Sequence, residues 1–314
     1  MLVFFLAIYL NINYNIKGDD MFNLLIKLIE YLKYERHYSN NTIMAYDDNI
    51  SKFLEYLDSI KINDIKDIEY QTIRKYINEL YNKKYSAKSI CRHISSLRSF
   101  FKYLLNNNYI KNNPMSLITN PKIEKKLPKY INYEDIEKIL NYPDIKTDIG
   151  IRDSLILELL YVTGIRVSEL ANINLKDINN YDKTINILGK GSKERVVMYG
   201  TRCQELLDKY IKIRSNFIKE PIDYLILSKR GKQINTREIR KIINDISKSC
   251  HIDMNISPHT FRHTFATHML NEGADLRSVQ KLLGHENLST TTIYTHLSNE
   301  KLRREYLKAH PRAQ

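Results

Sequence analysis

The sequence predicts a mainly α protein with a small antiparallel β-sheet, divided into two domains. Three observations carry this. Apolar residues recur at helical spacing along most of the chain, beginning with Leu24, Leu25, Leu28, Ile29 and Leu32. Short strand-like runs are confined to the second half, around residues 175–199. Between the halves, Pro114, Pro121 and Pro128 alternate with Lys122, Lys125, Lys126 and Lys129, a pattern that reads as an extended basic linker. A length of 314 residues suits two domains at ~100–200 residues each.

Residues 1–20 read as an extension outside the fold, and Met21 is a candidate start. The apolar run Leu2–Leu10 is far shorter than the ~18 residues of a membrane span. It also lacks the basic lead and small-residue exit of a secretory signal. Residues 21–111 read as a helical domain. Ser39–Thr42 offers N-cap chemistry before the stripe Ile43, Tyr46, Ile50, Phe53, Leu54 and Leu57. A third helix spans Gln71–Tyr81. A fourth, about Ser86–Leu105, carries Ile90, Ile94, Leu97, Phe101 and Leu104 on one face.

The fourth helix and the turn before it hold Lys83, Lys84, Lys88, Arg92, Arg98 and Lys102, with no acidic residue from Tyr81 to Leu105. A solvated face is the plain reading of such a run. The functional one is a DNA-contacting face, with Lys84, Lys88 and Arg92 on phosphates and Ser95, Ser96 and Ser99 as small hydrogen-bonding neighbours.

The linker is assigned to residues 112–132 and a mostly helical domain with a small sheet to 133–298. Helices are expected at Tyr133–Leu140 and Ile149–Thr163, the latter stopped by Gly164, with another near Val167. Short strands follow at Leu175–Ile178, Thr184–Leu188 and Arg195–Tyr199, with Gly189-Lys190-Gly191 turning between the last two. Gln204–Phe217 is helical and Tyr224–Leu227 extended. Helices return at Thr236–Cys250, Pro258–Asn271, Leu276–Leu283, Thr290–Thr295 and Asn299–Lys308, and residues 299–314 form a terminal helix and tail.

A net charge of +13 points to a polyanionic partner, nucleic acid or an anionic membrane surface. Cys91, Cys203 and Cys250 are scattered and form no CxxC pair, which excludes a disulfide framework and a zinc finger and fits a reducing cytoplasm. The 23 tyrosines are too many to be informative singly, so position must select among them. Position does so in three stretches: Thr163-Gly164-Ile165-Arg166-Val167-Ser168-Glu169-Leu170, Pro258-His259-Thr260-Phe261-Arg262-His263, and Gly284-His285 through Tyr294-Thr295-His296. Two guanidiniums can clamp a phosphodiester through planar, permanently charged forks. Imidazoles can move protons, and a phenol, weak at its ordinary pKa of ~10, can attack phosphorus when positive charge or a base is close. Lys190 is a mobile cation able to protonate a leaving oxygen.

Each residue has a plainer reading. Arg166 alone would pair with Glu169; Lys193 and Arg195 compete with Lys190; His263 and His268 read as packing or capping residues. His259 and His263 stand four apart, but no Glu follows the first, so the zinc-protease pattern fails. Gly189-Lys190-Gly191-Ser192 lacks the rest of a P-loop.

In order and spacing these residues resemble the tyrosine recombinases, and most the Xer-type site-specific recombinases. The likeness rests on Thr163–Leu170, Gly189–Arg195, Ser257–Met269 and Leu282–His296, with the ending His310-Pro311-Arg312-Ala313, and covers Leu24 to Ala313. It implies a two-domain clamp, a helical core-binding domain plus a mixed α/β catalytic domain. Arg166 and Arg262 would bind the scissile phosphate, Lys190 protonate the leaving 5′ oxygen, His259 assist proton transfer and His285 hydrogen-bond the phosphate. Tyr294 would form a 3′-phosphotyrosyl bond. The same resemblance implies a homo- or hetero-tetramer on two double-stranded DNA sites and a Holliday junction. It implies no cofactor, metal or membrane, and resolution of chromosome or plasmid dimers in the cytoplasm. It leaves room for a paralogous recombinase and a DNA translocase as partners. The terminal helix would dock on a neighbouring protomer. Alternatives are a mobile-element integrase of the same chemistry, a type IB topoisomerase, and a catalytically silent architectural DNA-binding protein.

Overall fold

The computed structural model describes residues 21–123, 129–189, 194–284 and 299–313. The chain divides into two compact units, up to Lys126 and from Leu127 onward.

The first unit is helical: α1 (Met21–Glu30, continued by a wider π-type turn over Tyr31–Glu35), α2 (Asn40–Ser59), α3 (Tyr70–Asn82) and α4 (Ala87–Asn106). Serines set two of the starts. Ser39 Oγ accepts from the Thr42 N–H ahead of α2, and Ser86 Oγ from the Ser89 N–H ahead of α4, each satisfying an orphan amide of the first turn. α4 is the central element and packs against α1, α2 and α3. Its buried face carries Ile90, Ile94, Leu97, Phe100, Phe101 and Leu104, and Phe101 meets Phe53, itself edge-on to Tyr76, in an edge-to-face aromatic cluster.

The chain after α4 is not extended from residue 112 as its proline content predicts. Met115 and Ile118 are buried in this same core. Arg98 donates to the Ile118 carbonyl at 2.5 Å and to Asn120 Oδ1 at 3.1 Å. Two apolar side chains and one guanidinium therefore hold the start of the linker against α4, so Arg98 is not an open phosphate contact.

The second unit comprises α5 (Tyr133–Asn141), α6 (Asp148–Thr163), α7 (Val167–Ala171), β1 (Ile178–Asn179), β2 (Thr184–Leu188), β3 (Glu194–Met198), α8 (Thr201–Ile213), α9 (Thr236–Ser249), α10 (Pro258–Asn271), α11 (Leu276–Leu283) and α12 (Asn299–Ala309). From Gly150 to Thr163 every residue of α6 except Asp153 is buried. A helix apolar on all sides belongs at the centre, and α5, α7, α8, α9, α10 and β3 pack around it. The sheet runs β1-β2-β3, all antiparallel, in a register that pairs Ile185 with Val197 and ends at Leu188 opposite Glu194. Ile185, Ile187 and Val197 point into the core.

Two elements differ from the sequence reading. Leu175–Asp177 is a 3-10 turn, and the strand is reduced to Ile178–Asn179. Asp177 Oδ2 accepts from the Asn174 N–H, a local bond that competes with strand pairing. α8 starts at Thr201 and stops at Ile213, because the buried Arg214 turns away to donate to the carbonyls of Ile222, Tyr224 and Leu225.

The terminal helix, which the resemblance places on a neighbouring protomer, is seated here on its own unit. Leu302, Tyr306, Ala309 and Ala313 join Phe265, Met269, Val279, Leu282 and Leu283 in one cluster. Arg312 pairs with Glu137 and Glu158. The tail crosses Gly200 so closely that a Cβ there would meet the Arg312 carbonyl at 2.1 Å.

Candidate active site

The site is built where three helix ends meet. α6 stops at Gly164, whose left-handed backbone (φ 59°) reverses the chain. A side chain would be strained there and would also strike Phe265 at 2.6 Å. Two residues on, Arg166 is the N-cap of α7. The Glu169 carboxylate reaches back to the Arg166 N–H at 2.7 Å and takes its guanidinium at 2.8 Å. The Arg166 side chain stays 38% exposed.

α10 begins with Pro258 at its first position, which suits the missing N–H and fixed φ of proline. Ser257 and Thr260 cap it reciprocally. His259 therefore sits exposed in the first turn, one turn before Arg262. Arg262 is only 8% exposed. Burial, then the neighbouring Arg166, pushes its pKa down to about 10, so it stays charged at neutral pH.

The third helix end is that of α11, closed by Gly284 in the left-handed region (φ 65°). The last carbonyls of a helix lack intrahelical partners and carry partial negative charge. Three arginines converge on them. Arg195 Nε donates to Leu282 O at 3.2 Å, Arg262 Nη2 to Leu283 O at 2.5 Å, and Arg166 Nη2 to Gly284 O at 3.4 Å. Arg262 Nη1 also donates to Gly164 O at 2.8 Å. Consecutive carbonyls thus bring Arg166 and Arg262 together although they lie 96 residues apart in the chain (262 − 166). A guanidinium has five donors, which leaves both arginines with donors over for an anion.

Arg195 completes the cluster. It grips Glu169 with both terminal nitrogens, at 3.0 and 2.7 Å. Burial pushes the Glu169 carboxyl up, but Arg195 and Arg166 outweigh it and hold the group below the usual carboxylate range. The plain reading of Arg166 as a partner of Glu169 and its reading as a phosphate ligand are therefore both compatible with the geometry, since one edge of the guanidinium serves the carboxylate.

Of the six residues singled out for chemistry, the structure brings Arg166, Arg262 and His259 to one place. Lys190, His285 and Tyr294 lie outside the described residues, as does the helix expected at Thr290–Thr295. His268 is buried, stacked on Tyr133 at 3.9 Å and bonded through Nδ1 to the Tyr161 hydroxyl at 2.9 Å.

On α4, Lys88, Arg92 and Ser95 are exposed and line a shallow groove with Tyr46 and Ile123. Lys84 is exposed in the preceding turn. Ser99 is half-buried and meets the Tyr46 hydroxyl at 3.2 Å. Ser96 is buried at the floor of the same groove, where it accepts from Asn49 at 3.0 Å. The sequence reading also passed over a second basic face. Arg237, Arg240 and Lys241 are exposed on α9, after exposed Lys229, Arg230 and Lys232. Their i, i+3, i+4 spacing was the available signal.

Residues 129–301 match the Phage integrase family, and residues 25–108 match the phage integrase N-terminal SAM-like domain. The chain belongs to the phage integrase family of tyrosine recombinases. It is 45% identical over 289 residues to tyrosine recombinase XerC of Anoxybacillus flavithermus, covering 91% of this chain and 96% of that one. Against XerC of Bacillus subtilis the identity is 42%, with 94% and 98% covered. A crystal structure of the XerH site-specific recombinase bound to palindromic difH substrate shares 26% identity and a TM-score of 0.68, covering 90% of this chain and 84% of that one. A lambda integrase tetramer bound to a Holliday junction shares the fold, at 18% identity and a TM-score of 0.68, with 91% and 79% covered. This recombinase is thus a Xer-type, site-specific DNA strand transferase, which sets aside the silent architectural reading. No helix among its described residues is long and apolar enough to cross a membrane.

Proposed function

We propose that this recombinase cuts and rejoins double-stranded DNA through Tyr294, forming a 3′-phosphotyrosyl bond. Arg166 and Arg262 hold the nonbridging oxygens of the scissile phosphate. His259 moves the proton of the attacking phenol, His285 hydrogen-bonds the phosphate and Lys190 protonates the leaving 5′ oxygen. The bond energy is kept in the phosphotyrosine, so the exchange needs no cofactor. The observation that carries this reading is the pair Arg166–Arg262, seated on consecutive carbonyls at the end of α11 with His259 one turn away. Preorganised donors in a partly dry site stabilise developing charge without reorganising.

The region of the first unit around exposed Lys84, Lys88, Arg92 and Ser95, with half-buried Ser99 beside them, and the α9 face of the second serve as phosphate-tracking surfaces. Four protomers, identical or with a paralogue, act on two sites through a Holliday junction, with the terminal segment 299–314 exchanged between neighbours. Resolution of chromosome dimers is the role that the XerC likeness supports; plasmid dimers as further substrates, a cytoplasmic setting and a DNA translocase as partner belong to the same proposal. A nicked suicide duplex carrying a chromosomal resolution site tests the chemistry. Wild type is expected to give a denaturant-stable adduct and Tyr294→Phe none; an adduct in both would remove Tyr294 as nucleophile.

A further inference from the structure

We propose that Arg195 is a positioning residue for strand cleavage: it fixes the Arg166 guanidinium through Glu169, while its bond to the Leu282 carbonyl only staples β3 to the end of α11. The inference rests on the reading of Arg166 and Arg262 as phosphate ligands.

Glu169 is fully engaged. Oε1 accepts from Arg166 Nη1 at 2.8 Å and Arg195 Nη1 at 3.0 Å; Oε2 accepts from the Arg166 N–H and from Arg195 Nη2, both at 2.7 Å. A carboxylate held by four donors cannot turn, and charge-assisted, bidentate bonds are the strong ones. Arg166 carries a long, partly exposed side chain with much rotamer freedom to lose. Its best anchor is Glu169, and Arg195 determines where that anchor points. The same Arg195 uses its third nitrogen on Leu282 O. Its chain also lies against Gly284, where a Cβ would meet Arg195 Cδ at 3.1 Å. One side chain of β3 thus ties α7 to α11, the two elements whose ends hold Arg166 and Arg262. Lysine keeps the charge but cannot make the fork and the third bond together.

The test measures single-turnover adduct formation and DNA binding for Arg195→Lys and Arg195→Met, each in wild-type and Glu169→Gln backgrounds. Tyr294→Phe is the reference. Arg195→Lys is expected to slow cleavage about tenfold and Arg195→Met about 10²-fold, with binding changed less than about threefold. In the Glu169→Gln background Arg195→Lys should cost less than about threefold, because the route to Arg166 is already cut. Among the described residues, the charged groups facing Glu169 are Arg166 from its own turn, Arg195 from β3 and Arg262 from α10. Without Arg195, burial is less opposed and Glu169 takes up a proton closer to neutrality. The ratio of Arg195→Met to wild-type rate should therefore fall between about pH 7 and about pH 5. Equal costs in both backgrounds and a pH-independent ratio would overturn the proposal and leave Arg195 as a strand-to-helix staple. Arg195→Lys carries the decision if Arg195→Met does not fold. An adduct that persists in Tyr294→Phe would overturn the underlying reading of the site, and this one with it.

Discussion

Among the described residues, the first unit buries the polar side chains Asn49, His93 and Ser96, whereas the second buries Arg152, Glu158, Glu169, Arg214, Arg262 and Arg312. The first unit buries none of its described lysines and arginines, and those in water make phosphate contacts that are screened by salt and demand little of the fold. The second takes guanidiniums into a medium of low dielectric, where charge acts strongly but must be compensated. Each buried arginine accordingly has carbonyls or carboxylates around it: Leu227 O and Asp153 for Arg152, three carbonyls for Arg214, Gly164 O and Leu283 O for Arg262, Glu137 and Glu158 for Arg312. The difference matches the two uses of positive charge proposed above: tracking DNA from the surface and, at Arg262, acting on one of its phosphates.

The largest effect that sharpens this contrast is expected at Arg262. Arg262→Ala should reduce adduct formation by about 10³–10⁵, the range of an arginine that stabilises phosphoryl-transfer charge. It should also lower stability by about 2–4 kcal/mol, since two carbonyls lose their donor. Single-turnover cleavage and thermal unfolding read the two effects separately. A surface arginine would show neither, so a fully stable and active Arg262→Ala would break the comparison.

Next in size is Arg312→Ala, which strands the buried Glu158 and leaves Glu137 without its fork. Removing one partner of a buried pair costs about 3–5 kcal/mol. The loss should be seen as a fall in the unfolding midpoint, with the first unit melting unchanged if the two unfold separately. A variant as stable as wild type would show that the tail contributes no stability where it is seated.

The two arginines proposed to hold the phosphate stand out in the sequence because each follows a local rule: Arg166 after a glycine stop, Arg262 one turn beyond Pro258 and His259. Their meeting was not legible from any local pattern, since it is made by the consecutive carbonyls of Leu283 and Gly284 at the end of α11. Glu169 and Arg195 were visible only as competitors, a plausible ion-pair partner and a turn cation, because their role depends on contact between β3 and α7. In the first unit the basic run on α4 was read correctly as a helix, yet its members differ. A run of Lys, Arg and Ser on one helix spreads round all its faces, and burial sorts them: Ser96 inward, Arg98 onto the linker, Lys88, Arg92 and Ser95 outward. The linker starts later than its proline content predicts, because Met115 and Ile118 are apolar enough to pack in the first unit's core.

That sorting yields the smallest effects and the finest test of the contrast. Lys88→Ala and Arg92→Ala should leave stability within about 0.5 kcal/mol of wild type, as exposed positions do. Each should weaken binding uniformly across DNA sequences and reduce the slope of log affinity against log salt by about 1. Ser95→Ala should change little in either measure. Ser96→Ala, one residue on, should leave salt dependence unchanged but cost about 1–2 kcal/mol, because Asn49 loses its acceptor in the core. Adjacent serines would then differ in stability alone, and neither would move the salt slope. If Ser96→Ala altered the salt slope, or Lys88→Ala and Arg92→Ala did not, the first unit would not hold DNA by the exposed face of α4, and its contacts would have to be sought on another helix.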